Sequence, residues 1–339
     1  MLFFYFKIKL NSIILYALRK ISRKYFFQTE IYTEKKTLEY PTVILINAIE
    51  KRDILSISYL NQIFDLQESL YIPLISKKLF IQNRKISKRI YSLFKLLGLS
   101  INFEANVDSF LMNGAFFAEV FKEKKIIVFL GREFNLGEEK FEQISKIGKN
   151  LTTFIPSVNF LQLTLTYDYL ISKKAVLHIT ESGQLRFEAN EKLKNIASTI
   201  RLRRSLNTIL TPGNLFSFAL FSSEFKIGIS RNFLFYKMSR FANLVYKEKI
   251  CRVNRQCLEV SYDDLFSEMI FGAEQNGFIS YNKNSKQYFG SDKLYAYSKN
   301  KKYSHESLLR ENIYRFHFYQ LFMFHRKFTK IWNEIEVYL

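Results

Sequence analysis

TVILINA at residues 42–48 and KIIVFLG at residues 125–131 are the two stretches of this sequence that decide its fold. Each is a continuous apolar run of strand length, as expected for a strand buried on both faces. Between them lie segments with helical spacing, such as ISKRIYSLFKLL at 86–97. Strands separated by helices of about 10–20 residues are typical of a mostly parallel sheet. We therefore predict an α/β fold, with helices flanking a central, mostly parallel sheet.

A further strand and a hairpin are predicted before residue 190. LQLTLTYD at 161–168 has strand character. The runs at 175–180 and 184–188 are predicted to form a hairpin that turns at Ser182-Gly183. Beyond residue 190 the strand pattern disappears, and the remainder is predicted to be helical, with a polar stretch at 281–305.

These patterns divide the chain into three regions. They are a basic amphipathic N-terminal segment at 1–35, an α/β domain at 36–190 and a helical C-terminal region at 191–339. Hydrophobic residues make up 48% of the chain, which excludes a wholly disordered protein. Gly and Pro number only 11 and 4 among 339 residues, far below the usual share of roughly 12%. That scarcity argues against a turn-rich all-β fold.

The charge of the chain predicts an anionic partner. Lys and Arg number 51 against 31 Asp and Glu, a net charge of +20, which favours phosphate polymers or a lipid surface. The N-terminal segment has six basic residues before its first acidic residue, Glu30, and they alternate with apolar residues. Its apolar stretch is too short for a membrane span. An interfacial helix, a mitochondrial-type presequence and an ordinary docking helix all remain open.

The cysteines and histidines have no spacing typical of a metal site. Cys251 and Cys257 are too few for a disulfide scaffold or a zinc ribbon, and they favour a reducing, intracellular compartment. The four histidines show no metal-ligand spacing with these cysteines: His178, His305, His317 and His325. We predict no metal and no bound cofactor.

The strand-to-helix junction VILINAIEKRDILSISY at 43–59 resembles the first motif of the glycerol-3-phosphate and dihydroxyacetone-phosphate acyltransferases. In that family a strand leads into His-x-x-x-x-Asp and then into a helix. Alignment on Ile57-Ser58-Tyr59 places the Asp of the motif at Asp53 and its His at Ala48. The resemblance implies that Asp53 is a catalytic residue of a degenerate motif.

Later motifs extend the resemblance over roughly residues 42–320. VFLGREFNLG at 128–137 is similar to the third motif of the family and keeps both of its glycines. LQLTLTYD at 161–168 resembles the fourth motif, and LTPGNL at 210–215 resembles a later Thr-Pro segment. The resemblance implies these substrate-binding residues: Gly131, Arg132, Gly137, Tyr167 and Asp168.

The chemistry that the resemblance implies lacks central groups in this sequence. In the family the His is implied to be the general base for the glycerol hydroxyl, which attacks an acyl thioester. Ala48 cannot accept a proton, and losing a positioned base costs roughly 10²–10⁴ in rate. Glu133 and Asn135 stand where arginines are implied to bind the substrate phosphate. A substitute base, Glu50 or Asp53, is left open.

The resemblance therefore implies a divergent acyltransferase-like protein of phospholipid biosynthesis at an intracellular membrane surface. We predict that it is catalytically impaired or inactive, a pseudoenzyme with a binding or scaffold role. If active, it would move an acyl chain from acyl-CoA, its co-substrate, to the first hydroxyl of a glycerol phosphate. Its implied partners are phospholipid, acyl-CoA, glycerol phosphate and a protein partner. The sequence does not distinguish a mitochondrial, endoplasmic reticulum or peroxisomal location.

Two alternatives to this prediction remain. A nucleic-acid-binding organellar protein would explain the net charge and the basic clusters RLRR at 201–204 and KNKK at 299–302. A structural subunit of a larger assembly would use the aromatic segment at 314–332 as its interface. A buried terminal helix explains that segment as well, and we favour it.

Overall fold

The structure is a computed structural model that describes most of the C-terminal half and the strands of the N-terminal half. The described residues are 26–33, 42–47, 59–64, 70–71, 126–131, 157–170, 175–188, 193–222, 224–259, 263–296, 311–321 and 324–335, with Tyr16, Lys20 and Ser56. The chain forms two compact units. The sheet unit comprises Met1–Phe26, Glu30–Leu165 and Ile179–Arg204, and the helical unit comprises Phe27–Thr29, Thr166–His178 and Ser205–Leu339. The domain boundaries predicted from the sequence stay a prediction.

A six-stranded sheet has the order β1-β6-β5-β2-β4-β3. Its strands are β1 Phe26–Tyr32, β2 Thr42–Asn47, β3 Leu70–Tyr71, β4 Ile126–Gly131, β5 Ser157–Asp168 and β6 Ala175–Glu188. β2 pairs in parallel with β4 and with β5, and β3 pairs in parallel with β4. The predicted mostly parallel sheet of an α/β fold is thereby confirmed. Strand β1 lies in the segment for which the sequence predicted a basic amphipathic character, and most of that segment lies outside the described residues.

Strand β2 forms because its side chains are apolar on both faces. Val43, Ile44 and Ile46 are fully buried, as a strand in the middle of a parallel sheet requires. In the register of the sheet Asn47 stands opposite Gly131 of β4, and Ile46 stands opposite Leu163 of β5. The TVILINA and KIIVFLG stretches thus contain neighbouring, hydrogen-bonded strands.

The hairpin predicted at Ser182-Gly183 is wrong, because β6 is one continuous strand of 14 residues. The backbone N–H of Gln162 in β5 donates to Ser182 Oγ at 3.1 Å, and Thr180 Oγ1 donates to the Thr164 carbonyl at 3.4 Å. These opposed pairs make β6 antiparallel to β5. Within this strand Gly183 has a φ of 76°, a left-handed conformation that glycine adopts without steric cost. Pairing with a strand on each side keeps the chain extended where the local sequence favours a turn.

The helical unit is built from short helices around an aromatic core. A helix of the sheet unit, α1 Leu60–Ile63, precedes them, and α2 Leu193–Asn207 carries the chain into the helical unit. The helices that follow are α3 Pro212–Leu220, α4 Glu224–Ile227, α5 Arg231–Lys247, α6 Asp263–Gln275, α7 Asp292–Tyr295, α8 Ile313–Gln320 and α9 His325–Glu334. Among the described residues, no helix combines the length and the apolar character that crossing a membrane requires.

Four short strands in this unit contradict the prediction that strands end near residue 190. β7 Ile209–Leu210 pairs in parallel with β8 Arg252–Val253. β9 Ile279–Asn282 and β10 Gln287–Gly290 form an antiparallel hairpin that overlaps the start of the predicted polar stretch at 281–305. Runs of two to four residues are too short to produce a period of two in the sequence.

Phe218 lies at the centre of the aromatic core of the helical unit. Its ring contacts the rings of Phe241, Phe318, Phe328 and Trp332, with centroids 5.2 to 6.1 Å apart. The residues at 314–332 therefore supply core side chains, as the favoured buried alternative for that segment predicted. Much of the high aromatic content of the chain is used in this way.

Candidate functional site

The sheet edge where the parallel strands end is the predicted location of the catalytic residues. In parallel sheets the carboxyl ends of neighbouring strands meet at one edge, which is the usual place for a ligand. The structure puts Gly131 at the end of β4, opposite Asn47 at the end of β2. The other residues predicted for this edge lie outside the described residues: Ala48, Asp53, Arg132 and Gly137.

The predicted substrate-binding residues Tyr167 and Asp168 end strand β5 and are fully buried in the helical unit. Asp168 Oδ2 accepts the Gly213 backbone N–H at 2.7 Å, and Oδ1 accepts the Leu170 backbone N–H at 2.9 Å. Gly213 is the second residue of α3, so the carboxylate lies at a helix N-terminus, where negative charge is stabilised. These contacts give Asp168 a structural role: it fastens the end of β5 to the start of α3.

Helix α3 begins at the Thr-Pro segment for the usual capping reasons. Thr211 is the N-cap, and its hydroxyl accepts the Asn214 backbone N–H at 3.2 Å. Pro212 takes the first helical position, where its missing N–H costs nothing. Gly213 then leaves room for the Asp168 carboxylate, because a Cβ at that position would lie 2.9 Å from Asp168 Cγ.

Replacing Gly213 with alanine should therefore destabilise the protein. We expect Gly213→Ala to lower the free energy of unfolding by about 1–3 kcal/mol, the usual cost of overpacking a buried site. Gly272→Ala is the matched control: it lies inside α6 with open space around the added Cβ, and alanine there should stabilise by about 0.5–1 kcal/mol. Urea unfolding measures both variants. A Gly213→Ala protein as stable as the wild type would contradict the close approach to Asp168.

A buried hydrogen-bond network surrounds this junction, and sequence reasoning missed it. His317 is fully buried, and its Nδ1 lies 3.0 Å from Asn214 Oδ1. Its Nε2 lies 3.3 Å from the Tyr169 backbone N. Gln320, one helical turn after His317 on α8, donates to the Tyr167 carbonyl at 2.9 Å and accepts the Tyr167 N–H at 3.0 Å. Asn214 belongs to the LTPGNL segment at 210–215, which resembles a motif of the family, but the sequence did not indicate its partners.

The contacts of His317 fix its tautomer and its charge. Nε2 must accept the Tyr169 N–H, so Nδ1 carries the proton and donates it to Asn214 Oδ1. Burial lowers the pKa of His317 from 6.5 to about 4, and the attraction of nearby Asp168 offsets only part of that effect. A neutral imidazole with both nitrogens engaged stabilises the fold at neutral pH and cannot act as an accessible base.

The two cysteines are buried thiols. Cys257 Sγ donates to the Leu210 carbonyl at 3.5 Å. Burial raises the pKa of Cys251 to about 12 and raises that of Cys257 well above its ordinary value. Neither cysteine supplies a thiolate nucleophile at neutral pH, since only the ionised form is reactive. In the part of the chain that the structure describes, no group of three or more His, Cys, Asp or Glu is placed to hold a metal ion.

One of the basic clusters that suggested nucleic-acid binding is partly internal. Arg204, the last residue of RLRR, is buried, and burial lowers its pKa to about 10. Its neighbour Arg203 is exposed. The KNKK cluster lies outside the described residues.

Comparison of the chain with protein-family models, with curated proteins and with solved structures found no match. The acyltransferase resemblance therefore stays a prediction.

Proposed function

We propose that the chain is a divergent, catalytically inactive protein of the glycerol-phosphate acyltransferase type, which binds lipid or acyl-CoA at an intracellular membrane surface. The observation that carries the proposal is the arrangement of the strands that hold the resembling motifs. β5, β2 and β4 are consecutive and parallel, and Asn47 is opposite Gly131. Motifs far apart in sequence thus belong to adjacent strands that end in one direction, which supports a common ligand edge.

The sequence and the described residues both support inactivity. Ala48 replaces the implied base. His317 offers no substitute, because it is fully buried and both of its ring nitrogens are hydrogen-bonded. The Asp168 carboxylate accepts two backbone N–H groups, so its contacts are structural. The proposal therefore keeps ligand binding at the sheet edge and excludes the acyl transfer.

Acyl transfer from labelled acyl-CoA to glycerol 3-phosphate and to dihydroxyacetone phosphate tests the proposal. We expect the purified wild-type protein to produce no acylated product above a protein-free control, while still binding acyl-CoA or phospholipid vesicles. Ala48→His should stay inactive as well, because Glu133 and Asn135 still occupy the positions of the phosphate-binding arginines. Turnover by the wild type that Asp53→Ala abolishes would contradict inactivity. Failure to bind both acyl-CoA and vesicles would contradict the binding role.

A further inference from the structure

The helical unit has a strongly basic surface that begins on the outer side of α5. The inner side of this helix packs into the core through Leu234, Met238, Phe241 and Val245. The outer side is exposed and follows the helical period through Tyr236, Arg240, Asn243 and Lys247. From Arg231 to Lys247 the sequence contains no Asp or Glu. Tyr246 is also exposed near the end of the helix, and the exposed residues Lys249 and Arg252 continue this surface beyond it.

Helix α9 extends the surface. Its core side holds Phe328, Ile331 and Trp332, which are buried. The rings of Phe328 and Trp332 lie 5.1 and 5.5 Å from that of Phe241 on α5. The outer side of α9 exposes Arg326, Lys327 and Lys330. Lys327 Nζ lies 3.8 Å from Glu248 Oε2, so the outer side of α9 adjoins the C-terminal end of α5.

These side chains form what we call the basic face: Arg240, Lys247, Lys249, Arg252, Arg326, Lys327 and Lys330. Two carboxylates lie among them. Glu248 is paired with Lys327, and Glu334 Oε1 lies 3.8 Å from Lys330 Nζ. The cations outnumber these acids by five, and their side chains are exposed. Such a surface attracts an extended anion, because each cation near a charged leaflet contributes separately.

We infer that the basic face is a docking surface for an anionic phospholipid leaflet. The inference rests on the proposed function and names the part of the molecule that meets the membrane. Tyr246 is 60% exposed and Tyr236 is 41% exposed, both on the outer side of α5. A tyrosine has an apolar ring and a polar hydroxyl, which suits the headgroup level of a bilayer. The seventeen residues of α5 span about 25 Å, long enough to lie along a membrane surface.

A lipid surface explains these observations better than a nucleic acid. Arg204 of the RLRR cluster is buried, so that cluster exposes fewer cations than its sequence suggests. The basic face lies on α5, on α9 and on the segment that follows α5, and α5 also carries exposed tyrosines. The shared chemistry of the two partners is a row of phosphates, so the experiment must compare them directly.

The experiment measures binding of the full chain to vesicles of phosphatidylcholine alone and of phosphatidylcholine with phosphatidylglycerol. We expect binding to the anionic vesicles and little to the neutral ones. The triple variant Arg240→Gln, Lys247→Gln, Arg326→Gln should bind about a hundredfold more weakly, since each cation contributes about fivefold. The control removes three exposed cations outside the basic face, Lys226→Gln, Lys283→Gln and Lys286→Gln, and should stay within about threefold of the wild type.

The outcomes separate this inference from the proposed function. Far-UV circular dichroism and thermal unfolding test whether both triple variants are folded. The variant Tyr246→Ala keeps every charge and should still bind anionic vesicles severalfold more weakly than the wild type. Equal vesicle binding by the two triple variants would contradict the docking role of the basic face and would leave the proposed function standing. A wild-type protein that binds neither vesicles nor acyl-CoA would overturn both. Tighter binding of a single-stranded oligonucleotide than of anionic vesicles, lost in the basic-face variant, would reassign the face to nucleic acid.

Discussion

Lys237→Met is expected to lower the free energy of unfolding by about 3–5 kcal/mol, because it leaves the carboxylate of Glu224 buried without its cation. Lys237 and Glu224 form an ion pair in which their side chains are only 6% and 13% exposed. Urea or thermal unfolding of the purified variant measures the effect. A loss below about 1 kcal/mol would show that the pair is solvated in solution and would contradict the burial described above.

The surroundings of the pair explain the size of this effect. Trp332 Nε1 donates to both oxygens of the Glu224 carboxylate at 3.1 Å. The Lys237 ammonium lies 5.2 Å from the ring centroid of Trp332 and 5.7 Å from that of Phe233. Burial raises the pKa of Glu224. The hydrogen bonds to its carboxylate, of which that from Lys237 is the strongest, outweigh the effect of burial, so the pKa is lowered from its ordinary value of 4.5. The charged pair thus connects α4, α5 and α9.

Two comparisons isolate the pair. In the Lys237→Met, Glu224→Gln double variant the uncompensated charge is gone and Trp332 keeps an acceptor, so most of the lost stability should return. Arg255→Met is the matched control. Arg255 is paired with Glu259 at 2.6 Å but is 90% exposed, so its loss should change stability by less than about 1 kcal/mol. Equal losses in Lys237→Met and Arg255→Met would mean that burial does not decide the strength of these pairs.

Part of the sheet could be predicted from the sequence, because β2 and residues 159–168 of β5 are buried on both faces. The apolar runs within TVILINA and KIIVFLG predicted β2 and β4, and the structure pairs the two strands. The hairpin prediction at Ser182-Gly183 failed for the opposite reason. Local preference favours a turn there, whereas pairing with β1 and β5 favours an extended chain. The short strands β7 and β8 depend on a contact between residues more than 40 positions apart.

The buried polar groups were harder to predict than the strands. Asp168 stood out in a motif, but its role depends on Gly213, 45 residues later in the chain. Lys237 has the sequence context of an exposed helix residue, and only the positions of Glu224 and Trp332 make it a buried cation. The hydrogen-bond partners of His317, Asn214 and Tyr169, lie 103 and 148 residues away in the chain. Long-range packing creates these sites, so one sequence read alone cannot pair their members.

Acidification from pH 7 to pH 4 is expected to destabilise the wild-type protein by about 3 kcal/mol more than the His317→Gln variant. His317 takes up a proton near pH 6.5 in the unfolded chain but only near pH 4 in the folded protein, because burial lowers its pKa. Unfolding free energies measured by urea at several pH values between 7 and 4 supply the comparison. Glu224, whose pKa is lowered in the folded state, is present in both proteins, so its titration cancels from the comparison.

The direction of the effect follows from the hydrogen bonds of His317. Between pH 6.5 and about pH 4 the unfolded chain binds one more proton at this residue, so each step toward acid favours unfolding. A proton on Nε2 would face the Tyr169 N–H that Nε2 now accepts. Asp168 is the charged group that attracts the imidazolium, and its effect is smaller than that of burial. Stability from the neutral imidazole is therefore complete above pH 6.5 and is lost progressively below it.

His325→Gln is the control that separates this residue from histidine titration in general. His325 lies half-buried at the start of α9, with its Nδ1 3.4 Å from Thr329 Oγ1, and the same series of unfolding measurements on His325→Gln supplies the comparison. His317→Gln should flatten the dependence of the unfolding free energy on pH, because it removes the titrating imidazole. It should also lower stability by the same amount at every pH, because the hydrogen bond from Tyr169 is lost. Parallel stability curves for the wild type and His317→Gln would show that the imidazole titrates alike in both states. In that case the network of Asn214, Gln320 and His317 would be open to water, which would contradict the burial of the junction between β5 and α3.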